Sequence, residues 1–178
     1  MLFRSALLVY GGEDELVVQR FTDASFQTDH DDFRSQSGFV FMLNGGAVSW
    51  KSSKQSTVAD STTEAEYIAA SDAAKEAVWI RKFIAELGVM PSVSRPIELL
   101  CDNNGAIAQA REPRSHQRSK HILRRFHLIR DIINRGDVEV SRVPTADNIA
   151  DPLTKLLSIK HHDRHVRGMG IRHMKDWI

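Results

Sequence analysis

A single cysteine, Cys101, in 178 residues excludes an internal disulfide framework and a cysteine-based zinc site, and it fits a reducing compartment. No stretch approaches the roughly 18 apolar residues needed to span a bilayer. The longest N-terminal apolar run, residues 6–10, is short for a secretory core and lacks a cleavage site. A membrane span and secretion are therefore not expected, and the cytoplasm is. There is no internal repeat and no low-complexity segment. A hydrophobic fraction of 42% with a charged fraction of 26% excludes a wholly disordered chain, a collagen-like chain and a coiled coil. A polymerase is not expected either: Asp31-Asp32 lies in a polar stretch with no aromatic-x-Asp-Asp hairpin around it.

The net charge of +1 conceals an asymmetry. The first 89 residues sum to −5 and the remainder to +6. That division suits a protein that gathers carboxylates in one place and holds a polyanion in another. Residues 111–130 hold seven Lys/Arg against Glu112 alone, with His116, His121 and His127 among them. Arg118, Lys120, Arg124 and Arg125 are candidates for a track along a phosphate backbone. His121 and His127 are six apart, which does not put them on one helical face as a metal pair.

The organisation follows from pattern. Residues 1–15, with Gly11-Gly12 and an acidic run, read as a leader or the remnant of an upstream junction. A strand is predicted over residues 16–21, ending at Thr22-Asp23, and a second over 38–43. Asn44-Gly45 is a hairpin turn, since both positions tolerate φ > 0, and a third strand follows over 47–50. Ser61-x-x-Glu64 and Thr63-x-x-Glu66 both have capping-box spacing, and Ile80, Phe83, Ile84 and Leu87 form an apolar helical face. Gly88 stops that helix. Residues 97–101 form a strand with Asp102 at its end, and residues 103–110 a helix. The apolar spacing of Ile122, Phe126, Ile129 and Ile133 predicts another helix, to about Gly136. Residues 138–143 form a fifth strand. Pro152 fits the first position of a last helix. Residues 158–178 read as a basic, His-rich, solvated tail, and Trp50, Trp79 and Trp177 as core or packing residues, with Trp50, at a strand end, also a candidate contact to nucleic acid. The fold class is α/β: a five-stranded mixed sheet, its first three strands antiparallel, flanked by helices.

Three acids fall at strand ends and a helix start: Asp23, Asp102 and Glu66. A fourth, Asp151, opens the predicted last helix. Such positions share a crevice in sheets of this kind. Converging carboxylates repel one another and need a cation, and an oxygen-only set selects Mg²⁺, with Mn²⁺ as substitute. Two ions about 4 Å apart activate a water and stabilise the leaving oxygen of a phosphodiester, without a nucleophilic side chain. Singly, each acid also reads as a turn or cap residue; Glu64 fits the capping role with Ser61.

The segments Thr22-Asp23-Ala24-Ser25, Ser61-Thr62-Thr63-Glu64-Ala65-Glu66-Tyr67-Ile68-Ala69, Cys101-Asp102-Asn103-Asn104-Gly105-Ala106 and Asn148-Ile149-Ala150-Asp151-Pro152-Leu153-Thr154-Lys155 resemble the ribonuclease H domain of copia-type LTR retrotransposon polyproteins. Ser119-Lys120-His121-Ile122 through His127-Leu128-Ile129-Arg130 is similar to it as well, and the resemblance covers residues 16–157. It implies a ribonuclease H-like fold and Mg²⁺-dependent hydrolysis of the RNA strand of RNA–DNA hybrids during reverse transcription. It further implies an upstream reverse transcriptase domain as partner, and the cytoplasm, a virus-like particle or the nucleus as location. By position, Asp23, Glu66, Asp102 and Asp151 match the metal acids, with Glu64 in reserve for the second and Asp147 as a weaker substitute for the last. Ser25, Thr62, Asn103 and Asn104 are candidate contacts to the hybrid. Cellular ribonucleases H carry a histidine in the loop before the last acid; residues 144–150 hold none. A binding module without cleavage, and an integrase or transposase core, are the competing classes. The four acids favour the ribonuclease over the first, and an Asp rather than a Glu as last acid favours it over the second.

Overall fold

Asn44 and Gly45 take φ of 50° and 76°, the left-handed pair a two-residue hairpin demands. The hairpin they close forms one side of the main sheet. The computed structural model describes residues 6–11, 18–29, 31–88, 95–112 and 127–174. In chain order they form β1 (Ala6–Leu8), β2 (Val18–Ser25), β3 (Gln36–Leu43), β4 (Gly46–Lys54), α1 (Thr62–Leu87), β5 (Ile97–Cys101), α2 (Asn104–Arg111), α3 (Leu128–Asn134), β6 (Val138–Arg142), α4 (Ile159–Gly168) and β7 (Ile171–His173). The main sheet has the order β4-β3-β2-β5-β6. Its first three strands, β2, β3 and β4, pair antiparallel in succession, and β2–β5 and β5–β6 pair parallel. This is the predicted five-stranded mixed sheet.

One face of the sheet is covered by α1, whose contact stripe is almost all alanine: Ala65, Ala69, Ala70, Ala73, Ala74 and Ala77 are each at most 1% exposed. Small side chains let a helix lie close against strands, and Tyr67, Ile68 and Ile80 fill the remaining space with Phe41, Leu99 and Val140. The other face carries a smaller core of Phe21, Val40, Met42, Ala47, Val143, Ala150 and Met169. Two chain segments close over it, residues 148–155 and the stretch from Met169 to Ile171 that follows α4.

α1 starts as its sequence demands. Ser61 Oγ accepts from the Glu64 backbone N–H, and Glu64 Oε2 accepts in return from the Asp60 N–H at 3.0 Å. Gly88, at φ 67°, ends it. Asn103 caps α2, its Oδ1 accepting from the Ala106 N–H at 3.0 Å.

Several expectations are corrected. Pro152 is the second residue of a 3-10 turn, Asp151–Leu153, and does not start a longer helix; one turn suffices because Thr154 turns back to bond the sheet. The helix over residues 103–110 stands, but the one expected from Ile122 is described only from Leu128. Phe83 and Leu87, expected on the buried face of α1, are 47% and 54% exposed. Phe83 instead stacks on Trp79, ring centroids 5.4 Å apart. Trp50 and Trp79 are not core residues, each being 59% exposed; Trp177 lies outside the described residues. The strand expected over 47–50 runs on to Lys54.

The segments read as leader and tail meet each other. β1 pairs antiparallel with β7, Ala6 opposite His173. Val9 N–H donates to Gly170 O and Ala47 N–H to Met169 O. Tyr10 Oη donates to Ala47 O at 2.8 Å. Gly170, at φ 84°, stands where any Cβ would meet the Gly45 carbonyl at 2.6 Å. Residues 158–174 are thus folded: α4 runs from a Ser158 cap, and its His165 is 5% exposed.

Candidate metal centre

β2 and β5 are parallel neighbours, so their C-terminal ends lie side by side. Asp23 is in the last three residues of β2 and Asp102 follows the last residue of β5. Period-2 alternation puts Asp23 on the Phe21 face of the sheet, which is the face covered by residues 148–155. Glu66 comes from α1, across the other face, and reaches round the strand end to accept the Ala24 N–H at 3.1 Å. Asp151 opens the 3-10 turn on the Phe21 face.

The four acids therefore come from four separate segments to one end of the sheet. One carboxylate oxygen each of Asp23, Asp102 and Asp151 lie within 4.8 Å of one another, and so do ligand atoms of Glu66, Cys101 and Asp102. Asp102 belongs to both groups. The two reserve acids are elsewhere engaged: Glu64 in the α1 cap, and Asp147, exposed, in an ion pair with Arg164.

Gly38 makes the closure of this site feasible. It sits opposite Asp23 in the β2–β3 register. A Cβ there would stand 2.7 Å from Thr154 Cγ2 and 2.9 Å from Leu153 Cβ. Only a residue without a side chain lets the turn lie flat on the strand. Ser52 Oγ, on β4, donates to Leu153 O and fixes the same turn from the next strand.

Asp23 is 1% exposed, and its carboxylate is held at both oxygens. Asn148 Nδ2 donates to Asp23 Oδ1 at 3.4 Å and to the Thr22 carbonyl at 3.0 Å. Thr154 Oγ1 donates to Asp23 Oδ2 and to the Asp151 carbonyl at 3.1 Å. Lys155 Nζ lies 3.6 Å from Asp23 Oδ2 and 3.1 Å from Asp151 Oδ1.

Electrostatics record the crowding. Burial raises the Asp23 carboxyl to about 7, against the lowering pull of Thr154 and Lys155. Burial, then Asp23 and Asp102, raises Glu66 to about 9. Burial pulls Lys155 down, but Asp23 and Asp151 outweigh it and leave the ammonium above the ordinary lysine value. Burial and Glu66 push the Cys101 thiol far up, so it stays a neutral packing group and not a nucleophile. His165, on α4, is lowered by burial, against the raising pull of Asp151.

The donor set fits a hard divalent cation. The four acids offer carboxylate oxygens in a largely buried setting, the Cys101 thiol beside Glu66 and Asp102 is held neutral, and Asp151 Oδ1 has only the Lys155 ammonium as a donor among the described side chains.

Of the other predicted site residues, Ser25 ends β2 half-buried, while Thr62 and Asn104 are exposed at the first residues of α1 and α2, on the rim of the acid cluster. Asn103 beside them has its side-chain oxygen engaged as the α2 cap. Arg118, Lys120, Arg124 and Arg125 lie outside the described residues. The sequence reading passed over Gly38, Asn148, Thr154 and Lys155 as functional positions. The last three flank Asp151 at −3, +3 and +4, and that spacing was the available signal. Among the described residues no helix is long and apolar enough to cross a membrane.

No family model matches the chain. It is 39% identical over 150 residues to the Retrovirus-related Pol polyprotein from transposon TNT 1-94 of Nicotiana tabacum, covering 84% of this chain and 11% of that protein. It is 36% identical over 156 residues to the Pol polyprotein from transposon RE2 of Arabidopsis thaliana, covering 88% of this chain and 11% of the polyprotein. The chain thus spans about a tenth of the length of these curated relatives. Among solved structures, LC11-RNase H1 in complex with an RNA/DNA hybrid superposes with a TM-score of 0.54 at 17% identity, covering 78% of this chain and 94% of that one. The chain belongs to the copia-type retrotransposon Pol family, as a domain with the ribonuclease H fold.

Proposed function

We propose that this domain is a divalent-metal-dependent endonuclease that hydrolyses the RNA strand of RNA–DNA hybrids during retrotransposon reverse transcription. The observation that carries the reading is the convergence of Asp23, Glu66, Asp102 and Asp151 from four segments onto one end of the sheet. In a buried cluster such acids are unfavourable unless a cation is their purpose. All four would hold Mg²⁺, or Mn²⁺ in its place. When bound, a pair of divalent ions supplies an activated water for attack on phosphorus and stabilises charge on the departing 3′ oxygen.

The chain's own residues supply position. Asn148 and Thr154 fix the Asp23 carboxylate in one rotation, and Gly38 and Ser52 fix the turn bearing Asp151. Thr62, Ser25 and Asn104 stand at the rim as hydrogen-bonding groups for RNA 2′-hydroxyls and the sugar–phosphate backbone, with Asn103 behind them. The basic residues Arg118, Lys120, Arg124 and Arg125 are assigned to phosphate contacts, with salt-sensitive affinity. The products are a 5′-phosphate and a 3′-hydroxyl. The upstream reverse transcriptase portion of the polyprotein is the expected partner, and the cytoplasm or a virus-like particle the expected place of action.

A labelled RNA–DNA hybrid tests the reading. RNA cleavage is expected with Mg²⁺ or Mn²⁺, not with chelator, and Asp102→Asn is expected to lower it by about a thousandfold or more with an unchanged circular dichroism spectrum. Hybrid binding without cleavage would make the domain a binding module. Cleavage of duplex DNA in place of hybrid RNA would move it to another nuclease class.

The second acid has its own test. Glu66→Gln should weaken Mn²⁺ binding at least about tenfold, since one charged ligand is lost, while Glu64→Gln should leave it within twofold and lower the melting temperature through the α1 cap. Calorimetric titration and thermal melts separate the two; the opposite pattern would move the site to Glu64.

A further inference from the structure

Lys155 is not one of the four acids and none of the preceding roles requires it, yet its ammonium sits between two of them. Nζ lies 3.1 Å from Asp151 Oδ1 and 3.6 Å from Asp23 Oδ2, while those side chains are 7% and 1% exposed. We propose that Lys155 is a resident counter-ion of the metal centre: it occupies a cation position in the metal-free protein and is displaced into solvent when a divalent ion binds. The inference rests on the acid cluster being a metal centre.

The geometry is suited to exchange. The backbone beneath the side chain is fixed: the Lys155 N–H donates to Asp151 O at 3.2 Å, and Thr154 is tied to Asp23 through its hydroxyl. The ammonium is therefore delivered to the same place each time the site empties. The stem is a flexible four-carbon chain and the side chain is one-third exposed, so the head group can leave without moving the turn that carries Asp151. An ammonium and a divalent ion cannot both face these carboxylates at about 3 Å, because they would repel strongly at low local dielectric. Asp151 Oδ1 is buried and has the Lys155 ammonium, at 3.1 Å, as its cationic partner.

Two consequences follow. Without an ion, the buried acids keep a positive partner and the 3-10 turn stays docked. With one, binding must first overcome the lysine, so the apparent affinity is lower than the acids alone would give, as for any site whose competent state is only partly populated.

The test uses the whole chain, with Mn²⁺ as probe, calorimetric titration and thermal melts as readouts, and Lys155→Met, Lys155→Arg and Asp102→Asn as variants. For Lys155→Met, Mn²⁺ should bind at least about tenfold tighter than in the unsubstituted protein. Its metal-free melting temperature should fall by roughly 5 °C or more, and saturating Mn²⁺ should erase that difference. If Lys155→Met folds only with Mn²⁺ present, the proposal is also supported, since a cation is then the missing part. Lys155→Arg should keep the original affinity. Equal or weaker Mn²⁺ binding by Lys155→Met, while the unsubstituted protein binds and Asp102→Asn does not, overturns the counter-ion role and leaves the metal centre standing. Absence of Asp102-dependent Mn²⁺ binding in every variant overturns both.

Discussion

Asp23→Asn should raise the melting temperature of the metal-free protein at pH 8 by roughly 4–8 °C and at the same time abolish divalent-ion binding and cleavage. The reason is that the best-placed acid of the site is its worst-solvated one. Burial raises the Asp23 carboxyl from 3.8 to about 7, so the folded protein holds its proton more tightly than the unfolded chain does. The stability contributed by that proton is complete below about pH 4 and is lost as pH rises towards 7. Asparagine keeps the shape: its Oδ1 accepts from Asn148 Nδ2 while its Nδ2 donates to Thr154 Oγ1, reversing that bond and leaving the hydroxyl proton to the Asp151 carbonyl, and it carries no charge at any pH. The variant should therefore match the original protein at pH 4 and exceed it by about 2 kcal/mol above pH 7, less than the full shift implies because Lys155 loses a partner. Glu66, raised to about 9, should extend the alkaline decline in both proteins. Thermal melts in chelator at pH 4 and pH 8 decide it. A variant less stable than the original at pH 8, or one equally stabilised at both pH values, would contradict the assigned burial.

Gly38→Ala should be the most damaging change of a single methyl group away from the acids. Its Cβ would enter within 2.9 Å of both Thr154 Cγ2 and Leu153 Cβ, so the 3-10 turn must lift. Overpacking of this kind costs about 1–3 kcal/mol, a melting temperature lower by roughly 2–12 °C in a chain of this size. The larger effect is on chemistry. Lifting the turn by about an ångström separates Asp151 and Thr154 from Asp23, and displacements of that size can lower turnover about a hundredfold. Melting curves and hybrid cleavage rates should therefore both fall, the rate far more. A variant with full activity would mean that the turn has room the distances deny.

Much of this architecture was legible in the residues. Asn44-Gly45 announced the hairpin because few other pairs tolerate two left-handed positions. Ser61 with Glu64 announced the start of α1, and the strand over residues 97–101 with Asp102 behind it was bounded by its apolar run. The acids were legible as a set because each lies at the end of an element, and element ends are where local pattern is clearest. What was not legible depends on distance in sequence. Nothing near Gly38 says that residue 154 will lie on it. Asn148 looks like a loop residue until its side chain is seen bridging 126 positions to the Thr22 carbonyl. Phe83 and Leu87 satisfied the helical period, but the stripe that meets the sheet is the alanine one, and periodicity counts apolar residues without knowing which face a sheet will choose. Residues 158–178 read as solvated because they are basic, whereas Gly170 and the carbonyls of Val9 and Gly45 set the docking of the described part by backbone fit, which composition does not encode.

The β1–β7 ladder has a mechanical consequence. Ala6 pairs with His173 and Leu8 with Ile171, so the polypeptide enters and leaves this region at the same end of the ladder. Tension transmitted through flanking chain would load its hydrogen bonds one pair after another, as a zip is opened, and would peel the two strands apart at low force. The long β2–β3 ladder and the β2–β5 junction, and the carboxylates they bring together, would feel no load until that zip had run its length.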